Sequence, residues 1–152
     1  MEDGRGFVVC DLNNDGTREL GIISNQQPRF RIAKLNAEVK KKSHVKVKLV
    51  GGNTKAEPSV DLSPRDPVGA ILVVKTGSQT RMFQLSSGEG FSIQNSRTVN
   101  IGLGDFTQID ELEIRWPGGK TTVKKGIVGG TTLEIHERGE EGRHVSAGEE
   151  KG

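Results

Sequence analysis

The 152-residue chain contains no tyrosine, one tryptophan (Trp116), five phenylalanines and one cysteine (Cys10). A single thiol cannot form an internal disulfide. So few flat rings leave little from which to build a base-stacking platform. Long apolar runs are missing too: the longest, Ala70-Ile71-Leu72-Val73-Val74, is far short of the roughly 20 residues that cross a bilayer as a helix. Nor is there charge of one sign. Against 20 Asp+Glu stand 22 Lys+Arg, a formal charge of +2, which excludes a domain that holds nucleic acid by net charge alone. Residues 1–6 show no basic segment leading into an apolar stretch, so no export leader is legible there.

Glycine, by contrast, is abundant, with 21 residues, about twice its usual share and a sign of many tight turns. Leu, Ile, Val and Phe make up about a quarter of the chain, enough for a packed core. These residues alternate with polar ones at period 2: Val45/Val47/Leu49, Val99/Ile101/Leu103, Leu112/Ile114/Trp116 and Leu133/Ile135. Each run reads as a strand with one face on the core and one in water. Ala70–Val74, apolar on both faces, reads as the central strand. Gly77-Ser78 has the chemistry of a two-residue hairpin, and Pro117-Gly118-Gly119 that of a turn after Trp116. Helical periodicity is hard to find; Lys34–Lys42 could form a turn of helix but reads as a linker. The pattern predicts an all-β protein whose main body is an antiparallel β-sandwich or barrel. It divides into a β segment around a polar loop (1–33), a linker (34–43), the main β domain (44–137) and a disordered tail (138–152) with almost no apolar content.

The most chemically specific stretch is Asp11-Leu12-Asn13-Asn14-Asp15-Gly16-Thr17-Arg18-Glu19. Asp11, Asn13, Asp15 and Glu19 carry side-chain oxygens, Thr17 can offer its backbone carbonyl, and Gly16 permits a sharp curl. A curled loop of this kind converges oxygens on one point, as a hard cation such as Ca²⁺ requires. The loop is not an EF-hand, because its twelfth position is Ile22 and its flanks look like strands. The competing reading is a metal-free β-turn, for which Asn14-Asp15-Gly16 is also suitable.

The run Gly4-Arg5-Gly6-Phe7-Val8-Val9-Cys10-Asp11-Leu12-Asn13-Asn14-Asp15-Gly16 resembles the calcium loop of an FG-GAP (integrin-type, VCBS) propeller repeat, with Cys10 in place of a Gly and Glu19 in place of a more usual Asp. One repeat cannot make a propeller, which needs several four-stranded blades. The segments His44–Gly51, Arg65–Ala70, Ser86–Phe91, Gly102–Asp105 and Ile114–Lys120 resemble the ASPIC/UnbV domain, which follows such repeats in cartilage acidic protein-like chains. Phe91 stands where that pattern has Tyr, and Asn100-Ile101 where it has a His-Phe pair. Together the resemblances cover residues 1–137. They imply a partial propeller-type hairpin blade ahead of the β-sandwich, and a non-enzymatic, extracellular or cell-surface binding and adhesion module. Structural Ca²⁺ and a protein or glycan ligand go with that reading, as does the rest of a β-propeller if the chain is a piece of a longer precursor. The missing leader fits such a piece.

Other features carry weaker expectations. Lys40-Lys41-Lys42 with Lys46 and Lys48 could serve an intracellular polyanion or nucleic-acid binder on a small barrel, although lysines also guard exposed sheet edges. His44, His136 and His144 have no ligand-like spacing with one another or with Cys10, and zinc needs about four such ligands. Cys10 reads as a small buried residue. No Gly-x-Ser-x-Gly elbow, P-loop or dinucleotide fingerprint is present, and hydrolysis by loop acids lacks a second carboxylate in a cleft. Arg65-Asp66 and the Ser86–Gly90 loop are either structural or a ligand-facing rim.

Overall fold

A computed structural model describes residues 4–10, 12, 19–25, 30–34, 43–88, 97–139 and 145–146. The chain divides into two compact units, one from Met1–Lys42 with Ser87–Ser96, the other from Ser43–Ser86 with Arg97–Gly152. All secondary structure among the described residues is β.

The first unit holds three antiparallel strands in the order β1 (Gly4–Cys10), β2 (Glu19–Ser24) and β3 (Phe30–Lys34). Pairing of Phe7 with Ile22 and of Val9 with Leu20 puts one apolar set on one face. Val8, Gly21 and Ile32 are in register on the other, where a Cβ on Gly21 would come within 2.8 Å of Val8. This glycine lets Val8 and Phe30 close over the strand.

The second unit contains two four-stranded sheets. One runs β11 (Val145–Ser146), β10 (Thr131–His136), β4 (Ser43–Val50), β7 (Thr98–Gly104); the other runs β6 (Gln79–Gln84), β5 (Ile71–Thr76), β8 (Gln108–Arg115), β9 (Thr121–Val128). The short β11, within the stretch expected to be a tail, pairs with Thr131 and Thr132. Alternation places Val45, Val47, Leu49, Ile101, Leu103, Leu133 and Ile135 on the inner face of the first sheet. Leu72, Val74, Ile109, Leu112, Ile114 and Ile127 meet them from the second, and Trp116 joins the same core. Burial of two facing sets in one core makes this a sandwich. The sheets do not close into a barrel. Removing one such side chain, as in Leu112→Ala, would cost about 2–5 kcal/mol.

Most pairings are antiparallel, but β4 and β10 run parallel, with Lys48 opposite Glu134 and Val50 opposite His136. Alternation marks a strand without giving its direction, so it does not reveal this pairing. The β5–β6 hairpin turns at Gly77-Ser78 as its composition predicts, with Gly77 at φ +55°. Its N–H donates to the Asp110 carboxylate at 2.7 Å, and the Phe106 ring lies where a Cβ would stand. Gly77 therefore answers to backbone angle and to space together.

The tightest polar assembly joins both sheets at one end. Glu137 follows β10 and continues its ladder by donating its N–H to the Val50 carbonyl at 3.0 Å. Its carboxylate is buried and accepts the N–H of Gly52 at 2.7 Å, the N–H of Ser63 at 2.8 Å and the Ser63 hydroxyl at 2.9 Å. The Ser63 oxygen in turn accepts the N–H of Gly118, from the turn between β8 and β9, at 3.0 Å. A Cβ on Gly118 would sit 2.8 Å from the Ser63 nitrogen, so only glycine allows the approach. Two buried backbone donors thus depend on one charged acceptor, and each left unsatisfied costs about 1–3 kcal/mol. Glu137→Ala is expected to lower stability by about 2–6 kcal/mol, read from the urea midpoint at unchanged m-value.

Candidate functional site

Of the five residues expected to hold a cation, Asp11, Asn13, Asp15 and Thr17 lie outside the described residues. Glu19 is described. It opens β2 opposite Cys10, so the two ends of the loop meet across an antiparallel pair. Its side chain is 4% exposed, and its Oε2 accepts the N–H of Leu12 at 2.9 Å. A buried acid thus faces back into the loop. A carboxylate has about four lone-pair sites, so this hydrogen bond leaves capacity for a cation.

A second candidate lies wholly within the sandwich unit. On the outer face of β4 and β10 a cleft of about 630 Å³ is lined by Lys48, Leu49, Val50, Thr54, Arg65, Asp66, Arg97, Glu134 and His136. That size is within the usual span of small-ligand sites. Three routes of the chain bring its charges together. Period-2 alternation points Lys48, Glu134 and His136 away from the core, and the parallel register sets Lys48 beside Glu134. The Gly51 N–H donates to the Arg65 carbonyl at 2.9 Å, pinning the loop that carries Arg65 and Asp66 to the end of β4. Arg97 immediately precedes β7, whose Thr98 pairs with Lys48.

The charges are arranged in pairs. Lys48 Nζ lies 2.7 Å from Glu134 Oε2, and His136 Nε2 lies 3.0 Å from Glu134 Oε1. Arg97 pairs with Asp66. The hydrogen bond from Arg97 holds the Asp66 carboxyl below its ordinary range; desolvation opposes this, and the charges of Arg97, Arg65 and Lys48 assist. Glu134 is lowered mainly by the hydrogen bond from Lys48 and then by that from His136. The Arg65 guanidinium is exposed and has no ion-pair or hydrogen-bond partner among the described residues. With Lys48, Arg65 and Arg97 against Asp66 and Glu134, the cleft carries one surplus positive charge before His136 is counted.

Several expectations change on this geometry. The Asp66 carboxylate pairs with Arg97 rather than with its neighbour Arg65, which acts on it through its charge alone. Lys46 and Lys48 do share an outward face, but β4 lies between β10 and β7, so they do not guard an edge. Lys40–Lys42 fall outside the described residues, as do Glu89 and Gly90 of the Ser86–Gly90 rim candidate, and nothing is described of the Cys10 side chain. Sequence patterning does not single out Glu134, His136 and Arg97 as a site. Glu134 and His136 belong to a strand whose outward face is legible, whereas no pattern links Arg97 to Asp66. No group of three or more His, Cys, Asp or Glu suited to a metal occurs among the described residues.

A family model described as ASPIC and UnbV matches residues 61–142. The match takes in every charged cleft residue except Lys48. No curated protein matches the chain closely enough to supply a relative.

Because Asp66 and Glu134 titrate lower folded than unfolded, their pairs contribute stability above the unfolded carboxylate range. That contribution is lost as pH falls through the folded values, below about pH 4. In carboxyl NMR titrations Arg97→Ala is expected to raise the Asp66 midpoint and leave Glu134 in place, and Lys48→Ala mainly to raise Glu134.

Proposed function

Since the chain belongs to the ASPIC and UnbV family, we propose that it is a non-enzymatic binding and adhesion module of the extracellular type, stabilised by Ca²⁺ and directed at a glycan or protein ligand. The observation that carries this reading is the state of the cleft's acids. A general acid or base working near neutrality needs a carboxyl raised toward that pH, whereas Asp66 and Glu134 are both lowered by cations already bonded to them. Such paired charges suit recognition better than proton transfer.

On this reading residues 1–33 are a partial FG-GAP/VCBS repeat. Its support is a three-stranded antiparallel sheet with apolar residues on both faces, including the exposed Phe7, Phe30 and Ile32. A blade held between neighbouring blades of a propeller has that character. Asp11, Asn13, Asp15, Thr17 and Glu19 would hold the Ca²⁺, with the buried Glu19 carboxylate already turned to the loop at Leu12. The cation would neutralise Asp11, Asp15 and Glu19 and fix the path between β1 and β2. The alternative, an intracellular polyanion binder using Lys40–Lys48, draws on a patch in which Lys48 is already bonded to Glu134.

An isolated loop of this type binds Ca²⁺ with a dissociation constant of about 10⁻⁴–10⁻³ M. In about 10 mM Ca²⁺ it would stabilise the protein by about 1.4–2.7 kcal/mol. Thermal melts in calcium and in chelator should therefore differ, and Asp15→Ala should abolish the difference. Superimposable wild-type melts would remove the metal from the proposal.

A further inference from the structure

We infer that the cleft between β4, β10 and the Arg65-Asp66 loop is a binding site for an acidic oligosaccharide, whose carboxylate or sulfate group docks on Arg65. The inference rests on the binding-module reading and names the ligand class of its sandwich unit.

Most charges in the cleft are already committed. Lys48 is bonded to Glu134 and Arg97 to Asp66, while the Arg65 guanidinium, on the same wall, has no such partner among the described residues. Its backbone is held at the end of β4 by the Gly51–Arg65 hydrogen bond, and the loop behind it is anchored by the buried Glu137. A planar fork of donors on a fixed backbone, beside a surplus positive charge, is a seat for a bidentate oxyanion.

The remaining lining selects among oxyanion-bearing ligands. Asp66 and Glu134 are ionised acceptors facing the same space. They can take hydrogen bonds from hydroxyl groups, which sugars present in number, and they repel a continuous phosphate backbone. Among the described residues no Phe, Tyr or Trp lines the cleft, so the described lining offers unstacked bases no broad platform. A ligand with one acid group surrounded by hydroxyls fits this mixture of two acceptors and a guanidinium with no hydrogen-bonded partner among the described residues. Val50, next to Leu49 but on the outward face of β4, supplies a short apolar wall against which a sugar ring can lie.

The test is calorimetric titration of the full chain with a tetrasaccharide that carries a single uronate among neutral glucose units, run in calcium and in chelator. A neutral tetrasaccharide of glucose and a single-stranded DNA oligonucleotide serve as comparison ligands. The acidic sugar is expected to bind at least tenfold more tightly than either. Arg65→Ala should weaken it at least tenfold, and Arg65→Lys should weaken it less. Lys124→Ala, at an exposed residue of the edge strand β9 in the other sheet, should leave it unchanged. Equal binding of DNA, unaltered affinity in Arg65→Ala, or an equal loss in Lys124→Ala would each overturn the assignment, the last by showing diffuse polyanion attraction. If the wild-type chain binds no acidic sugar while its melting point still rises with calcium, the ligand assignment fails and the calcium module stands. Binding that survives in chelator, together with flat calcium melts, upholds the sugar site and removes the metal.

Discussion

One buried carboxylate ties the two halves of the sandwich together at the end where the charged cleft lies. Glu137 accepts three hydrogen bonds from Gly52 and Ser63, and through the Ser63 hydroxyl it reaches Gly118 in the turn between two strands of the opposite sheet. A buried charge is tolerated only when its oxygens are satisfied, and here the donors are mostly backbone groups of a long connection with no sheet of its own. The same bonds therefore satisfy the acid and give residues 51–66 a defined path. Arg138 extends the arrangement by donating from Nε to the Gly52 carbonyl at 2.8 Å. Asn53 extends it from within the loop, bonding the carbonyls of Ser59 and Leu62 and the N–H of Ser59.

Order in that connection is what makes a charged cleft possible on a sheet surface. Exposed ion pairs contribute little to stability, and the pairs formed by Lys48, Glu134, Asp66 and Arg97 are better understood as fixing where charges stand. Cross-strand register supplies one pair and loop placement the other. The arrangement leaves Arg65 beside two acids that bond other side chains.

Much of the sandwich is legible in the sequence because its strands obey a period of two. Val45, Val47, Leu49, Leu112, Ile114, Leu133 and Ile135 all follow from alternation and are all in the core. Extending the last run by one step also reaches Glu137, an acid at an inward position after Leu133 and Ile135. Strand direction is hidden, since β4 and β10 show the same pattern whichever way they run. The Arg97–Asp66 pair is hidden because it joins residues whose proximity depends on the whole topology. The oxygen-rich loop stands out through side-chain chemistry alone, and only its flank at Leu12 and Glu19 is described.

The parallel union of β4 with β10 also governs the order in which this unit can be assembled during synthesis. All strands of the β6-β5-β8-β9 sheet have been made by residue 128, whereas β4 must wait for β10, 86 positions downstream at the Lys48–Glu134 pair, to complete the middle of its own sheet. Until then the inner residues of β4 and β7 face the finished sheet with one central neighbour missing. Such long-range closure is slow and leaves an open strand flank on the nascent chain. On the ribosome this unit would reach its native topology only after its last long strand has emerged from the exit tunnel.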